Sequence, residues 1–426
     1  MTLLTRRPTV ADRLAGLAAG VAGGSLPVRL RAWDGSEAGP SDGPTLVIRD
    51  RAALRRLLWH PGELGLAQAY IAGEIDVEGD LADGLRRVWR QARERGLTGA
   101  RVSWPDRMRA VRTATGLGVL GPRPAAPSAQ ARLDGQVHTR ERDRAAISYH
   151  YDLSNEFYQL ILDPAMAYSC GYWTGTGPEY GLAEAQRDKL DLICRKLGLA
   201  PGMRLLDVGC GWGSLSLHAA RHYGVTVTGV TLSARQRAFA VARAEREGLS
   251  GAVDIRLQDY RDIADGPYDA VASVEMGEHV GADQYPTFAA RLHDLLAPCG
   301  RLLIQQMSRG TDQPGGGAFI ESYVAPDMHM RPVGETVSLL AAAGLEIRDV
   351  HAMREHYVRT VDVWARTLEE RWSSVVELVG EPVARVWRLY LAGGALTFAE
   401  GRMGVDQILA VRRTGDGVSG MPPVRV

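Results

Sequence analysis

Residues 207–213 read Asp-Val-Gly-Cys-Gly-Trp-Gly and close the apolar run that begins at Met203. Gly209, Gly211 and Gly213, preceded by Asp207, describe a strand end bending into a helix around a ligand. Without Cβ atoms the turn lets a ligand lie against bare backbone, and the helix N-terminus that follows favours a carboxylate. A dinucleotide fingerprint is not completed, because position 214 is Ser, and the chain has no Gly-Lys-Ser/Thr phosphate loop. S-adenosylmethionine (SAM) carries a carboxylate and no phosphate, so it fits the turn; a purely structural glycine turn is the competing reading. Asp259 and Tyr260 close a later strand-like segment. One can accept a hydrogen bond from an adenosine and the other can stack on it, while a helix cap is the equal alternative for Asp259.

Short apolar segments position these residues. Strands are predicted at 204–209, 225–233, 253–259, 268–275 and 300–307, separated by helical stretches such as Ser233–Gly248. That alternation implies right-handed βαβ units and a mostly parallel, doubly wound α/β sheet covered on both faces. Ligands bind such sheets outside the carboxyl ends of the strands, where the glycine turn lies. Upstream, Val10, Leu14, Leu17 and Val21 fall at helical spacing and 44–50 reads as a strand, giving a small N-terminal α+β unit over 1–120. Residues 31–44 read as a loop. Residues 121–143, with three prolines and almost no bulky apolar side chain, read as an interdomain linker before a domain at 144–426. The arginine-rich stretch 86–112, with Trp89, Val102, Trp104 and Met108, is either an ordinary solvated helix face or a surface for anionic lipid.

Acidic and basic residues balance at 50 each, so no global field favours nucleic acid. Lys189 and Lys196 are the only lysines. Cys170, Cys194, Cys210 and Cys299 form no Cys-x-x-Cys pair, which argues against a disulfide framework or a zinc site and fits a reducing cytoplasm. No metal is expected. No run approaches the roughly 18 apolar residues of a membrane span, and Asp12 and Arg13 interrupt the one N-terminal stretch that faintly looks like an export signal.

Several ordered motifs then narrow the reading. Residues 148–173 (SYHYDLSNEFYQLILDPAMAYSCGYW), LLDVGCGWG, GVTLSARQ (229–236), EMGEHVG (275–281), HYVRTVDVW (356–364) and YLAGGALTFAEGRMGVDQ (390–407) together resemble the cyclopropane-fatty-acid synthase family, which includes the mycolic acid cyclopropane synthases. The resemblance spans about residues 141–413, and more weakly the N-terminal part. It implies a Rossmann-like SAM-dependent methyltransferase fold with helical acyl-chain-binding insertions. It also implies that Tyr168 and Ser169 contact SAM, that Gly209 and Gly211 pass along its methionine portion, that Thr231 and Gln236 hold the ribose, and that Tyr260 replaces a Trp beside the adenine. In the family a bound bicarbonate removes the final proton. Its ligands match Cys170, Glu278 and Tyr357 here. The family's His is Gln305 in this chain, which donates a hydrogen bond but carries no charge, and His279 and His356 are nearby candidates. Glu275 and Gly277 are further departures.

The implied substrate is an unsaturated acyl chain of a membrane phospholipid, met by the N-terminal unit at the inner face of the membrane. Methyl transfer to a cis double bond leaves a carbocation, and proton loss then closes a cyclopropane or, after a hydride shift, leaves a 10-methylene chain that a partner reductase converts to a tuberculostearic-type methyl branch. The departures tip the expectation toward the methylene. The competing readings are a ring as sole product, a methyltransferase for a small non-lipid substrate, and a SAM- or lipid-binding protein without turnover. Family members are often dimeric, so a homodimer is expected.

Overall fold

The run Leu205–Val208 is buried at every residue, as a strand covered on both faces must be, whereas 253–257 alternates buried and exposed side chains as a sheet edge does. The computed structural model describes residues 7–22, 24–96, 104–131, 135–151, 154–311 and 315–423. Parts of four sequence features therefore lie outside the described residues: 1–6 and 23 of the N-terminal stretch, Val102 of the arginine-rich stretch, 132–134 of the linker, and 152 and 153 of the first motif.

Eleven strands are described. In chain order they are β1 (Arg29–Arg31), β2 (Glu37–Ala38), β3 (Thr45–Ile48), β4 (Ile75–Glu78), β5 (Arg204–Val208), β6 (Thr226–Thr231), β7 (Val253–Leu257), β8 (Tyr268–Val274), β9 (Leu296–Arg309), β10 (Leu345–Ala352) and β11 (Met403–Arg412). The last seven form one sheet in the order β10-β11-β9-β8-β5-β6-β7. Pairing is parallel from β9 through β8, β5 and β6 to β7, and β11 runs antiparallel between β10 and β9. Each of the five predicted strands is present, in the predicted parallel arrangement. Successive residues of β5 serve opposite faces: Leu205 joins one apolar cluster with Leu190, Ile193 and Leu217, and Leu206 joins the other with Phe288, Leu292 and Ile304. Complete burial of side chains this size contributes about 1.5–3 kcal/mol each.

The chain divides into two units along lines that differ from the sequence expectation. One unit is Met1–Gln130 with Gly380–Leu396; the other is Ala131–Val379 with Thr397–Val426. Residues 121–130 do not behave as a free linker, because Arg56 Nη1 donates to the carbonyl of Ala125 at 2.6 Å and Gln68 bonds Gln130 at 3.1 Å. The helix Glu381–Ala399 contributes its first part to the N-terminal unit, where Ala392 joins a core of Leu30, Ile48, Tyr70, Ile75 and Leu81. Its buried Arg385 donates to the carbonyl of Tyr70 at 3.2 Å and pairs with Asp76 at 3.2 Å. Proline and polar composition at 121–130 concealed docking made by neighbouring arginine and glutamine side chains.

Removing one member of a buried ion pair leaves the other desolvated and alone. Asp76 keeps a second partner in Arg49 at 2.5 Å, which holds the loss to the lower end of the usual range. Arg385→Met is expected to destabilise the N-terminal unit by about 3 kcal/mol, read as a lowered urea midpoint for the exposed-tryptophan fluorescence of that unit.

Candidate active site

The carboxyl ends of β5 to β8 open on one cavity. The glycine turn forms its floor. Gly209 and Gly211 have φ of 81° and 55°, conformations that side-chain-bearing residues adopt at a cost. A Cβ on Gly211 would project into open space, and one on Gly209 would meet Met276 at 2.9 Å. Gly213 differs. It caps the helix Ser214–Tyr223, does not line the cavity, and a Cβ there would press on Ala240 at 3.1 Å. Its role is close helix packing, which corrects its assignment to cofactor contact.

Asp207 lines the cavity, accepts a hydrogen bond from Ser216 at 2.7 Å, and is pushed up to about 6 by burial. At the ends of β6 and β7 the wall is Thr231, Gln236, Asp259 and Tyr260. Thr231 bonds Gln236 at 2.8 Å, and the Ser233 hydroxyl accepts from Gln236 N at 3.2 Å, starting the helix Ala234–Arg246. Asp259 caps the short turn Tyr260–Asp262 through Arg261 N at 2.9 Å and also grips the Arg261 guanidinium at 2.6 Å. Asp259 is therefore a cap, and it also stands on the cavity wall. Tyr168, Ser169 and His279 complete the predicted lining. Open space over Gly211, a polar wall beside Tyr260 and an aromatic edge at Tyr168 fit SAM lying across the strand ends.

Cys170, Tyr357 and Gln305 do come together, and they meet on a carboxylate of the chain itself. Glu275 Oε1 accepts from Cys170 N at 2.8 Å and from Gln305 Nε2 at 2.8 Å, and Oε2 accepts from the Tyr357 hydroxyl at 2.6 Å. Gln305 is itself aimed by Gln407, which donates to its Oε1 at 2.9 Å from the facing position on β11. Glu275 lines the cavity and holds a φ of 52°. Burial pushes its carboxyl up; Tyr357, Cys170 and Gln305 pull it back down, with the Lys189 charge. The Cys170 thiol is fully buried and held well above its ordinary range by desolvation and the Glu275 charge. It is a thiol, and the residue's useful group is its backbone N–H.

Residues 138–408 match the family Mycolic acid cyclopropane synthetase. The chain belongs to that family. It is 37% identical over 408 residues to a probable fatty acid methyltransferase of Pseudomonas putida, covering 94% of this chain and 95% of that protein. It is 32% identical over 410 residues to the tuberculostearic acid methyltransferase UfaA1 of Mycobacterium tuberculosis, covering 91% and 88%. The structure of mycolic acid cyclopropane synthase CmaA1 complexed with SAH and CTAB superimposes with a TM-score of 0.59 at 31% identity, over 63% of this chain and 97% of that one. The chain is thus a SAM-dependent methyltransferase of the cyclopropane and fatty acid methyltransferase family, whose members act on unsaturated lipid chains.

Glu278 stands apart from the hub. It does not line the cavity; Oε1 accepts from Met307 N at 2.5 Å and Oε2 has no hydrogen-bond partner among the described residues. Burial, then the Glu275 charge, pushes its carboxyl up to about 8. His356 is engaged in holding the fold, since its Nδ1 accepts from Trp173 N at 2.9 Å and its ring lies 4.9 Å from that of Tyr172. Tyr168, Trp364 and Tyr357 form an aromatic run with centroids 5.2 and 6.1 Å apart. Sequence reasoning marked Glu275 only as a departure and passed over Gln407 and Lys189. Gln407 faces Gln305 across β9 and β11, a pairing that the predicted parallel strands do not reveal.

Two outcomes follow from this geometry. Gly211→Val forces an unfavourable φ and fills the open space, so calorimetric SAH affinity is expected to fall at least about tenfold. For Glu278, the folded state keeps its proton between about 4.5 and 8 while the unfolded chain has lost it. The folded state then binds more protons, so this group's contribution to stability falls as pH rises through that window and returns below it. Glu278→Gln removes the slope. Denaturation curves of variant and wild type are expected to converge near pH 4 and to separate in the variant's favour by up to about 5 kcal/mol above pH 8.

Proposed function

We propose that this enzyme methylates the cis double bond of an oleoyl-type chain in a membrane phospholipid, with Glu275 as the base that takes the final proton. The observation that carries the reading is the Glu275 carboxylate held by three donors at the cavity wall. Cys170 and Tyr357 are among the groups that the family resemblance assigns to its bicarbonate site, and Gln305 stands at the position of that site's His. A side-chain carboxylate on them takes the place of bicarbonate, so the proposal drops that expected cofactor.

Bound SAM supplies an electrophilic methyl on a sulfonium. The π electrons of the alkene form the new carbon–carbon bond, the carbon–sulfur pair returns to sulfur, and a cation remains on the acyl chain. The faces of Tyr168 and its aromatic neighbours, with the Glu275 charge beside them, stabilise that cation. Burial pushes both carboxyls up, Glu278 to about 8, while three donors and the Lys189 charge oppose the rise at Glu275; on this proposal Glu275 is the charged member of the pair. Glu275 then removes a proton from the added methyl. After a hydride shift that loss gives a 10-methylene chain; without the shift it closes a ring. The methylene product is favoured here by likeness to the tuberculostearic acid methyltransferase across nearly the whole chain. A separate reductase completes a methyl branch from it.

No described helix is long and apolar enough to cross a membrane, so contact with the lipid is peripheral in this proposal. The N-terminal unit supports it with exposed Trp59, Trp104, Met108, Val111 and Leu120. These share that unit with the exposed Arg109 and Arg112.

Expression in a host rich in monounsaturated lipid is expected to yield fatty acids about 14 mass units above oleate, the mass of one CH2. Mild hydrogenation separates a methylene from a ring, and no mass shift would refute the reading. Glu275→Gly suits the positive φ and vacates the anion position while leaving the donors of Cys170, Gln305 and Tyr357 in place. Turnover is expected to drop at least about a thousandfold, on the scale of losing a general base together with an electrostatic stabiliser. SAH binding should persist, and added bicarbonate should restore part of the rate. Wild-type turnover that requires bicarbonate would overturn the role of Glu275.

A further inference from the structure

Lys189 is buried to 1% on the helix Leu182–Leu197, yet it reaches the cavity wall. Its Nζ donates to the Ser169 hydroxyl at 2.8 Å. An ammonium has three N–H donors, and Ser169 takes one. Burial pushes the Lys189 ammonium down and the charges of Glu275, Asp163 and Asp207 hold it up; it shares the cavity lining with Asp207 after β5 and Glu275 after β8. Arg261 is the other Lys or Arg among the described lining residues, and it lies at the β7 end, already gripped by Asp259 and Asp143. The chain uses lysine at two of its 50 basic positions. A buried compact charge here is therefore a departure from its general use of arginine, whose planar fork has different needs.

We propose that Lys189 receives the α-carboxylate of the cofactor's methionine portion, and that Ser169 holds the ammonium in place for it. This rests on the reading of the cavity as the SAM site and assigns one end of it. The adenosine lies toward Asp259 and Tyr260, so the amino-acid tail must end among Ser169, Lys189, Asp207 and Gly209. Of these only Lys189 offers a cation. Gln186, one turn before it, donates to the carbonyls of Ala167 at 3.2 Å and Ser169 at 2.8 Å. The helix thereby fixes the backbone of the same segment whose hydroxyl Lys189 grips. The helix N-terminus after the glycine turn is the competing receptor for the carboxylate.

The test is calorimetric binding of SAH and of its decarboxylated form, which keeps the amine and loses only the carboxylate. Wild-type protein is expected to prefer SAH by about 10- to 100-fold, the range of one charge-assisted hydrogen bond in a buried site. Lys189→Met should erase that preference by weakening SAH while leaving the decarboxylated ligand within about threefold. A preference that survives in Lys189→Met, or a loss equal for both ligands, overturns the assignment in favour of the helix terminus or a purely structural lysine. Should Lys189→Met fail to fold, absence of any preference in the wild type still overturns it. A wild type that binds neither ligand refutes the cavity reading itself, which is a different result.

Discussion

A carboxylate carried into the interior of a protein needs hydrogen-bond donors for both oxygens, and Glu275 has them from three directions. The Cys170 amide comes from the segment before the first βα unit, Gln305 from β9, and Tyr357 from the helix Arg354–Glu370. Each donor depends on a different part of the catalytic unit being in register. Gln305 in turn is oriented by Gln407, so the antiparallel strand β11 matters to the site without touching the cavity. Removal of water around an ion costs several kcal/mol, and only such a set of donors offsets it. The positive φ at Glu275 belongs to the same constraint, since strained backbone persists where its surroundings over-determine it.

The pair Glu275 and Glu278 shows how environment separates two like groups. Glu278 is buried and Glu275 is half-buried on the cavity wall, but Glu275 is ringed by side-chain and backbone donors while Glu278 is met by backbone alone and its Oε2 has no partner among the described residues. Two neighbouring carboxylates cannot both ionise cheaply. Burial pushes both carboxyls up; the donors around Glu275 oppose that rise, while at Glu278 the Glu275 charge adds to it.

Much of this was legible in the sequence because the signals are local. Apolar runs bounded by turn residues gave the five parallel strands, and the glycines after Asp207 gave the ligand floor. The motif set brought Cys170, Gln305 and Tyr357 to one point. What could not be read there was non-local. Nothing in the residues around Glu275 says that its side chain turns toward those donors; its φ of 52° decides that. The docking of Gly380–Leu396 on the N-terminal unit is likewise invisible, because Arg385 finds Asp76 more than three hundred positions away. Gly213 was misread for a related reason. Its motif suggests ligand contact, while the deciding neighbour, Ala240, sits on the next helix.

A tethered base differs from a diffusible one in ways that follow from its attachment. A bound bicarbonate must be captured from solution, so its occupancy depends on concentration and on the same pH that sets its charge. Glu275 is present in every molecule at fixed geometry, and the entropy of placing it was lost once, during folding. The tether also restricts it. Its oxygens sit where Cys170, Gln305 and Tyr357 hold them, so the hydrogen it reaches depends on where the acyl chain lies and on which carbon bears the charge. If proton removal is slower than a hydride shift between adjacent carbons, the cation relocates before it is quenched, and an exocyclic methylene results. If proton removal is faster, the ring closes. On the proposed mechanism the product is therefore a question of rate and reach at one carboxylate, and Gln305, by orienting Glu275, acts on both.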